Sequence, residues 1–341
     1  MHARFVIPGL IWPATGVDAL LADLPLPGLA RLCARLDARH DAPRAFDDWL
    51  CREWGLASPP FAALRLIADG CVAGDAIEVC ADPVNLRFAR EHLLLDSPEN
   101  LQLLDEELTS LCDGLNATFS DIGQFHIVAS KLYLRLAPAH ADKLDVRLSP
   151  LAEVVARPVA HFQPQGTQAR WWSKLNNELQ VFCHNHPVNQ PREAEGRPLL
   201  NALWLWGAGK APSGLIAPAS TLTGDYWLLK GLAQSAGMAL TPLKPTTPAS
   251  WNLIDTLLLP AQQRDGWAWR TELARLDAEI FCVLADQLDS GGLSSVEVLA
   301  PGDSALTIWQ LRHNPRWRFW ARQCKPAALQ SLLSRPVSEA A

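Results

Sequence analysis

Apolar residues in the first part of the chain repeat with the spacings of one short strand and three helices. Arg4–Leu10 predicts a strand that Pro8 shortens. The segments Leu26–Ala38, Arg44–Leu56 and Pro59–Ala68 place leucines and aromatic residues at helical spacing, so each is predicted to be a helix with one buried face.

The next block has short alternating segments around one helix. Val84–Phe88 and His92–Leu95 predict a hairpin, Ser97–Leu115 predicts a helix that begins with Pro98, and Phe125–Ser130 with Leu132–Leu136 predicts a second hairpin. We therefore predict a small α+β domain at 75–145, inserted into a larger α/β domain made of 1–74 and 160–341.

The second half alternates apolar strands with helical segments. Gln168–His184 and Gly224–Met238 predict helices, and Asn201–Trp206 predicts a buried parallel strand that runs into a glycine-containing loop. Further buried strands are predicted at Glu279–Leu284, Ser295–Leu299 and Ala305–Leu311. This alternation predicts the fold class α/β, with a mainly parallel sheet flanked by helices.

Charge and composition exclude several classes of protein. The net charge of −6 over 341 residues provides no basic field to attract nucleic acid or an anionic membrane. No apolar run is long enough for a membrane span, and the proline-interrupted N-terminal region is unlike a signal peptide, so we expect a cytoplasmic protein. The eight scattered cysteines contain no CxxC pair and are expected to be reduced thiols.

One segment, HNHPVNQPREAEGRPLLNALWLWGAGKAP at His184–Pro212, carries a specific motif. It resembles the archaeal-type cofactor-independent phosphoglycerate mutases. The matching residues are His186, Pro187, Asn189, Arg192, Gly196, Asn201, Trp204, Trp206, Gly207, Gly209 and Pro212. The resemblance is strongest over 184–240 and weaker over 76–137. Within this family the chain looks most similar to a proteobacterial branch of regulatory proteins from pathogenicity-factor gene clusters.

The resemblance implies an alkaline-phosphatase-like fold. In that family two divalent metals, held by Asp and His, activate a Ser or Thr that carries the phosphoryl group between two positions of glycerate. Such ions neutralise the phosphoryl charge and lower the pKa of the nucleophile.

The chain departs from this pattern wherever the family places its metal ligands and nucleophile. Ile7–Leu10 lacks the acid of the first strand, and Ser58 is the only serine among the first 90 residues. The late metal segment keeps only Asp286 and Asp289, which we interpret as loop-capping acids, and His313 is the only histidine after Pro187. We therefore predict no catalytic residues, no metal site and no cofactor; if mutase activity survives, Mn or Zn would be required.

Cationic and polar residues remain as candidates for binding a small anionic or phosphorylated metabolite, because a guanidinium matches phosphate or carboxylate with paired hydrogen bonds. The candidate ligand-binding residues are Arg87, Arg135, His186, Asn189, Arg192 and Lys210. Each also has a structural alternative, such as an ion pair or a loop contact.

Two functions from different classes follow. The favoured hypothesis is a degenerate mutase scaffold that binds a small anion or a protein partner in a regulatory role. The alternative is an active metal-dependent phosphoglycerate mutase or related phosphatase. Trp267, Trp269, Trp309, Trp317 and Trp320, with nearby arginines, are candidates for an aromatic–basic partner surface or for packing within the chain.

Overall fold

A computed structural model describes residues 2–35, 37–89, 91–96, 98–155, 157–302, 305–310 and 326–334. Within these ranges the strands are β1 His2–Val6, β2 Asp37–Asp41, β3 Glu78–Val84, β4 Leu86–Ala89, β5 His92–Leu95, β6 Gly123–Val128, β7 Lys131–Leu136, β8 Ala202–Gly209, β9 Leu222–Thr223, β10 Leu240–Thr241, β11 Trp251–Leu253, β12 Ser295–Ala300 and β13 Leu306–Gln310.

The helices in the same ranges are α1 Val17–Leu21, α2 Pro27–Cys33, α3 Phe46–Glu53, α4 Phe61–Ala68, α5 Pro98–Leu101, α6 Asp105–Thr118, α7 Leu151–Val154, α8 Ala169–Asn185, α9 Asn189–Ala194, α10 Trp227–Ser235, α11 Leu258–Gln263, α12 Gly266–Leu276, α13 Cys282–Ser290 and α14 Pro326–Leu333. None of the helices in this described part of the chain is long and apolar enough to cross a membrane.

The chain forms two compact units. The first unit comprises Met1–Leu56, Ile216–Ala233 and Gly237–Ala341, and the second comprises Ala57–Leu215 with Gln234–Ala236. The α+β block at 75–145 lies inside the second unit. Its boundaries as a separate inserted domain stay a prediction.

The first unit contains a seven-stranded sheet in the order β10-β9-β11-β1-β12-β13-β2. The strands from β10 to β12 in this order run parallel to one another, whereas at one end β13 pairs antiparallel with β12 and β2 pairs antiparallel with β13. The predicted α/β fold with a mainly parallel sheet flanked by helices is therefore confirmed. Strand β2 was not predicted: all five of its residues are exposed, so no apolar alternation marks it.

Helices α2, α12 and α13 contribute to the core of the first unit, which buries Phe5, Trp269 and Phe281. The strand predicted at Glu279–Leu284 is wrong, because this segment continues from α12 through a π-helical turn at Asp277–Phe281 into α13. Ile280, Phe281, Leu284 and Leu288 are buried at helical spacing. A short apolar run of this length fits either element, and the longer period decides between them.

The second unit is built on a four-stranded sheet in the order β6-β7-β3-β8, with all of its pairings antiparallel. The prediction of a parallel strand at Asn201–Trp206 is therefore wrong in direction. Leu203 and Leu205 of β8 share a hydrophobic core with Trp172 of α8, while Trp206 contacts Phe61 of α4. Because both faces of β8 are covered, its sequence is continuously apolar without being parallel.

The hairpin predicted at 84–95 forms as β4 and β5. The helix predicted over Ser97–Leu115 is divided into α5 and α6. Gln102, between them, has a positive φ of 44°, which stops the first helix. The Glu107 carboxylate then accepts the N–H of Leu104 at 2.9 Å, which satisfies a free donor at the start of α6.

Candidate functional site

The carboxyl ends of parallel strands are where ligands of such sheets bind. After β1, however, this edge of the first unit is filled by packed atoms: Ile7 and Leu10 are fully buried. Gly9 has a φ of 78°, and a Cβ added there would lie 2.4 Å from the Leu257 carbonyl oxygen. The indole N–H of Trp269 donates to the Gly9 carbonyl at 2.7 Å. This loop has no space for an acidic side chain at Gly9.

Two acids follow the neighbouring strands β9 and β11 at the same edge. Asp225 forms an ion pair with Lys230 at 2.6 Å, and its side chain is 90% exposed. Burial raises the pKa of Asp255, and the negative charge of Asp225 adds to this effect. The Tyr226 hydroxyl donates to Asp47 at 2.8 Å, and burial raises the pKa of this tyrosine.

These residues do not provide a two-metal centre. In the described part of the chain, no group of three or more His, Cys, Asp and Glu side chains converges in a way that could hold a metal ion. Two adjacent divalent ions need several such ligands each. The described residues therefore do not fit the metal pair implied by the resemblance. His313, Trp317 and Trp320 lie outside the described residues.

Asp286 and Asp289 have a structural role that differs from the predicted one. Both lie on the surface of α13 rather than in a loop, so the prediction of loop-capping acids is wrong. Arg31 donates to Asp286 at 2.8 Å and to Asp289 at 2.5 Å, and Arg35 also pairs with Asp289. These ion pairs connect α2 with α13.

Two of the predicted ligand-binding residues, His186 and Asn189, are buried where α8 leads into α9. The Asn189 amide donates to the carbonyls of Cys183 at 2.9 Å and Leu200 at 2.8 Å, and it accepts the Leu200 N–H. Burial lowers the pKa of His186, and its Nδ1 accepts the Val188 N–H at 3.3 Å. Asn189 holds the segment that leads to β8, whereas His186 binds within the turn between α8 and α9.

Arg192 is fully buried and bound entirely by protein acceptors. Its Nε donates to Glu107 at 3.0 Å, and one Nη group donates to the second Glu107 oxygen at 2.5 Å. Its other Nη group donates to the carbonyls of Leu101 and Pro198 at 2.9 and 2.8 Å. This arginine joins α9 to the break between α5 and α6.

Arg135 and Lys210 are brought together at a cleft of about 430 Å³ in the second unit. The walls include Ile77, Leu136 and Pro138. Lys210 follows directly after β8, and Gly209 allows the strand to pass close to α4, since a Cβ there would lie 2.6 Å from the Pro60 Cβ. Lys210 is exposed and has no ion-pair partner among the described residues.

Arg87 lies on the separate β4–β5 hairpin and does not line this cleft. It resembles Arg135 in its ion pairing and in its exposure. The Nε of Arg87 lies 3.0 Å from Asp96 and that of Arg135 lies 2.8 Å from Glu78. Both arginine side chains are about half exposed, at 53% and 51%.

A buried polar network between α4 and the four-stranded sheet is not predicted by the sequence pattern. Arg65 donates to both oxygens of Asp82 at 2.9 and 3.0 Å and to the Tyr133 hydroxyl at 2.9 Å. The Trp206 indole donates to the same carboxylate at 2.6 Å. The available signal was one arginine inside the apolar run of α4 and one acid inside the apolar run of β3.

The chain is similar in sequence to parts of several phosphoglycerate mutases. It is 27% identical over 175 residues to the 2,3-bisphosphoglycerate-independent phosphoglycerate mutase of Methanosarcina mazei, a match that covers 49% of this chain and 44% of the relative. It is 33% identical over 129 residues to the probable enzyme of that name from Geobacter sulfurreducens, covering 38% and 32%. Each of these matches thus spans less than half of the relative's length.

The PH0037 protein from Pyrococcus horikoshii has a similar fold, with a TM-score of 0.55 and 13% identity over 100% of this chain and 99% of that chain. The cofactor-independent phosphoglycerate mutase from Thermoplasma acidophilum aligns at a TM-score of 0.44 and 15% identity, covering 96% and 94%. No family model matches the chain. Together, the sequence matches relate part of this α/β chain to phosphoglycerate mutases.

Proposed function

We propose that this chain is a degenerate phosphoglycerate-mutase-like protein that lacks the two-metal centre and works as a binding or regulatory protein. The partial matches to phosphoglycerate mutases support the relationship, and with it an alkaline-phosphatase-like origin of the fold. The packed loop after β1 supports the loss of the metal centre, because Ile7–Leu10 carries no acid and a Cβ added at Gly9 would lie 2.4 Å from the Leu257 carbonyl oxygen.

The ligand that we propose is a small anionic or phosphorylated metabolite, bound at the cleft of Arg135 and Lys210. This pair of cations beside apolar walls, in a lining that also includes Asp75, is the observation that carries the proposal. A volume of about 430 Å³ is that of a small-molecule site. Arg135 uses only its Nε in the ion pair with Glu78, so its Nη groups remain to bind phosphate or carboxylate oxygens.

The regulatory role, the proteobacterial branch and a cytoplasmic location form part of the same proposal. A small anion bound at the cleft would be the signal, and a protein partner would receive it. The net charge of −6 disfavours nucleic acid as that partner.

One observation favours an active metal-dependent mutase instead. Asp225 and Asp255 follow neighbouring parallel strands, which is where a metal would be held in such a fold. Against this, Lys230 already pairs with Asp225, and among the described residues no further ligand joins them.

Binding of 3-phosphoglycerate, measured by titration calorimetry, tests the proposed site. Arg135→Gln should weaken binding by about tenfold or more, because a hydrogen bond to a charged group is lost. Lys210→Gln should weaken it less, since lysine acts as a single point charge. Arg87→Gln is the matched control and should leave the affinity unchanged. Equal effects of the Arg135 and Arg87 substitutions on the affinity would exclude the cleft as the binding site.

A further inference from the structure

We propose that anion binding at the Arg135 cleft is linked to protonation of His126 through the buried carboxylate of Glu78. This inference rests on the proposed function, because it concerns the regulation of the same site. It adds a proton-dependent control that the cleft residues alone do not supply.

The first part of the link is the pairing of Glu78 with Arg135. Glu78 on β3 lies opposite Arg135 on β7, and the side chain of Glu78 is only 3% exposed. The Arg135 Nε–H donates to Glu78 Oε1 at 2.8 Å. The carboxylate therefore orients the guanidinium that lines the cleft, and its negative charge partly offsets that of Arg135.

The second part is the other oxygen of the same carboxylate. Glu78 Oε2 is buried and accepts no hydrogen bond among the described residues. Leaving such an acceptor unsatisfied is costly. His126 Nε2 lies 3.5 Å from this oxygen, within ion-pair distance if the imidazole is protonated. A proton on His126 would supply the charge that Glu78 Oε2 lacks.

Among the described residues near His126, the Glu78 carboxylate is the group available to pair with a protonated imidazole. On β7, Tyr133 stacks against the imidazole with the ring centres 5.7 Å apart, and its hydroxyl accepts from Arg65. Lys131, on the same strand, is held by Asp69 at 2.8 Å. On α4, the guanidinium of Arg65 lies 4.6 Å from the centre of the Tyr133 ring and is paired with Asp82.

The charge balance sets the direction of the effect. With neutral His126, Glu78 and Arg135 sum to zero net charge. Protonation of His126 raises the sum by one positive charge and frees Arg135 to attract an anion. Histidine is the side chain that changes charge near neutral pH, so affinity should rise as the pH falls. At the separation of neighbouring side chains, we expect a gain of about fivefold.

Inorganic sulfate is the probe for this test, because its charge is constant over the relevant range, unlike that of phosphate. Sulfate affinity should rise by about fivefold between about pH 8 and about pH 5.5. His126→Gln should abolish the rise while keeping the affinity measured at the higher pH. His92→Gln, on the separate hairpin, is the control and should retain the rise.

The reverse effect gives an independent measurement. Because linkage is reciprocal, saturating sulfate should move the midpoint of the His126 NMR titration to higher pH. Sulfate binding that Arg135→Gln abolishes but that is equally strong at both pH values would overturn this inference and leave the proposed site intact. No sulfate binding at either pH would overturn both.

Discussion

The carboxyl edge of the parallel sheet in the first unit and the four-stranded sheet of the second unit differ in how deeply their acidic side chains are buried. At the carboxyl edge of the parallel sheet in the first unit, the loop after β1 is packed with Ile7 and Leu10, and the most exposed acid, Asp225, pairs with Lys230. In the four-stranded sheet of the second unit, Glu78 and Asp82 are buried and paired with arginines.

This difference shows where the fold depends on charge. A buried charge is tolerated only with a well-placed partner, so each one in the second unit constrains the residues around it. An exposed ion pair at the edge of the first unit contributes little to stability, and its residues can change at low cost. Loss of a metal centre at such an edge is therefore compatible with retention of the fold.

The largest expected effect is at Asp82. Asp82→Asn should lower the free energy of unfolding by about 3–5 kcal/mol, because Arg65 would stay buried without its counter-charge. Urea denaturation followed by tryptophan fluorescence measures this directly. The double variant with Arg65→Met should recover part of the loss. A cost below about 1 kcal/mol for Asp82→Asn would contradict the buried pairing.

A somewhat smaller and pH-dependent effect is expected at Glu107. Burial acts to raise the pKa of this carboxyl, but hydrogen bonds from Arg192, the Leu104 N–H and Arg197, together with the charge of Arg192, outweigh it and the pKa is lowered. A lowered folded pKa means that the stabilisation is complete above the ordinary value of 4.5 and is lost as the pH falls through the folded value.

Glu107→Gln should therefore cost about 2 kcal/mol near neutral pH. The difference from the unsubstituted protein should narrow as the pH falls below the ordinary value of 4.5. Urea midpoints across the acid range provide the measurement, with Glu178→Gln on the exposed face of α8 as the control. A difference that is constant with pH would show that Glu107 is not ionised against Arg192.

The smallest effect is expected in the first unit. Asp225→Asn removes an exposed ion pair with Lys230 and should change the free energy of unfolding by less than about 1 kcal/mol. Urea denaturation measures this change in the free energy of unfolding, which is compared with the change caused by Asp82→Asn. A loss as large as that at Asp82 would remove the distinction between the two regions.

Local patterns were sufficient to predict several elements and not others. Alternation at 84–95 predicts the hairpin that forms as β4 and β5, and the strand predicted at Ser295–Leu299 forms as β12. The run at Glu279–Leu284 was too short to separate strand from helix, and its helical period emerges only with Leu288 and the residues of α12. The direction of β8 depends on its partner β3, which is distant in sequence.

The candidate site was harder to predict because side-chain partners are set by tertiary contacts. An arginine in a motif has the same sequence signal whether it faces a ligand or a buried acid, so nothing in the sequence separated Arg192 from Arg135. Glu107, which binds Arg192, is 85 residues away. The Arg65–Asp82 pair was not predicted for a similar reason. Arg65 lies on α4 and Asp82 lies on β3, and the sequence does not show that this helix packs against this strand.

The proposed binding or regulatory function requires that the protein lack a working two-metal phosphotransfer centre. Elemental analysis of the purified protein after incubation with Mn²⁺ and Zn²⁺, combined with an assay that interconverts 2- and 3-phosphoglycerate, tests this directly. We predict a metal content well below one ion per chain and no turnover with either metal. Two tightly held ions per chain together with robust turnover would contradict the account.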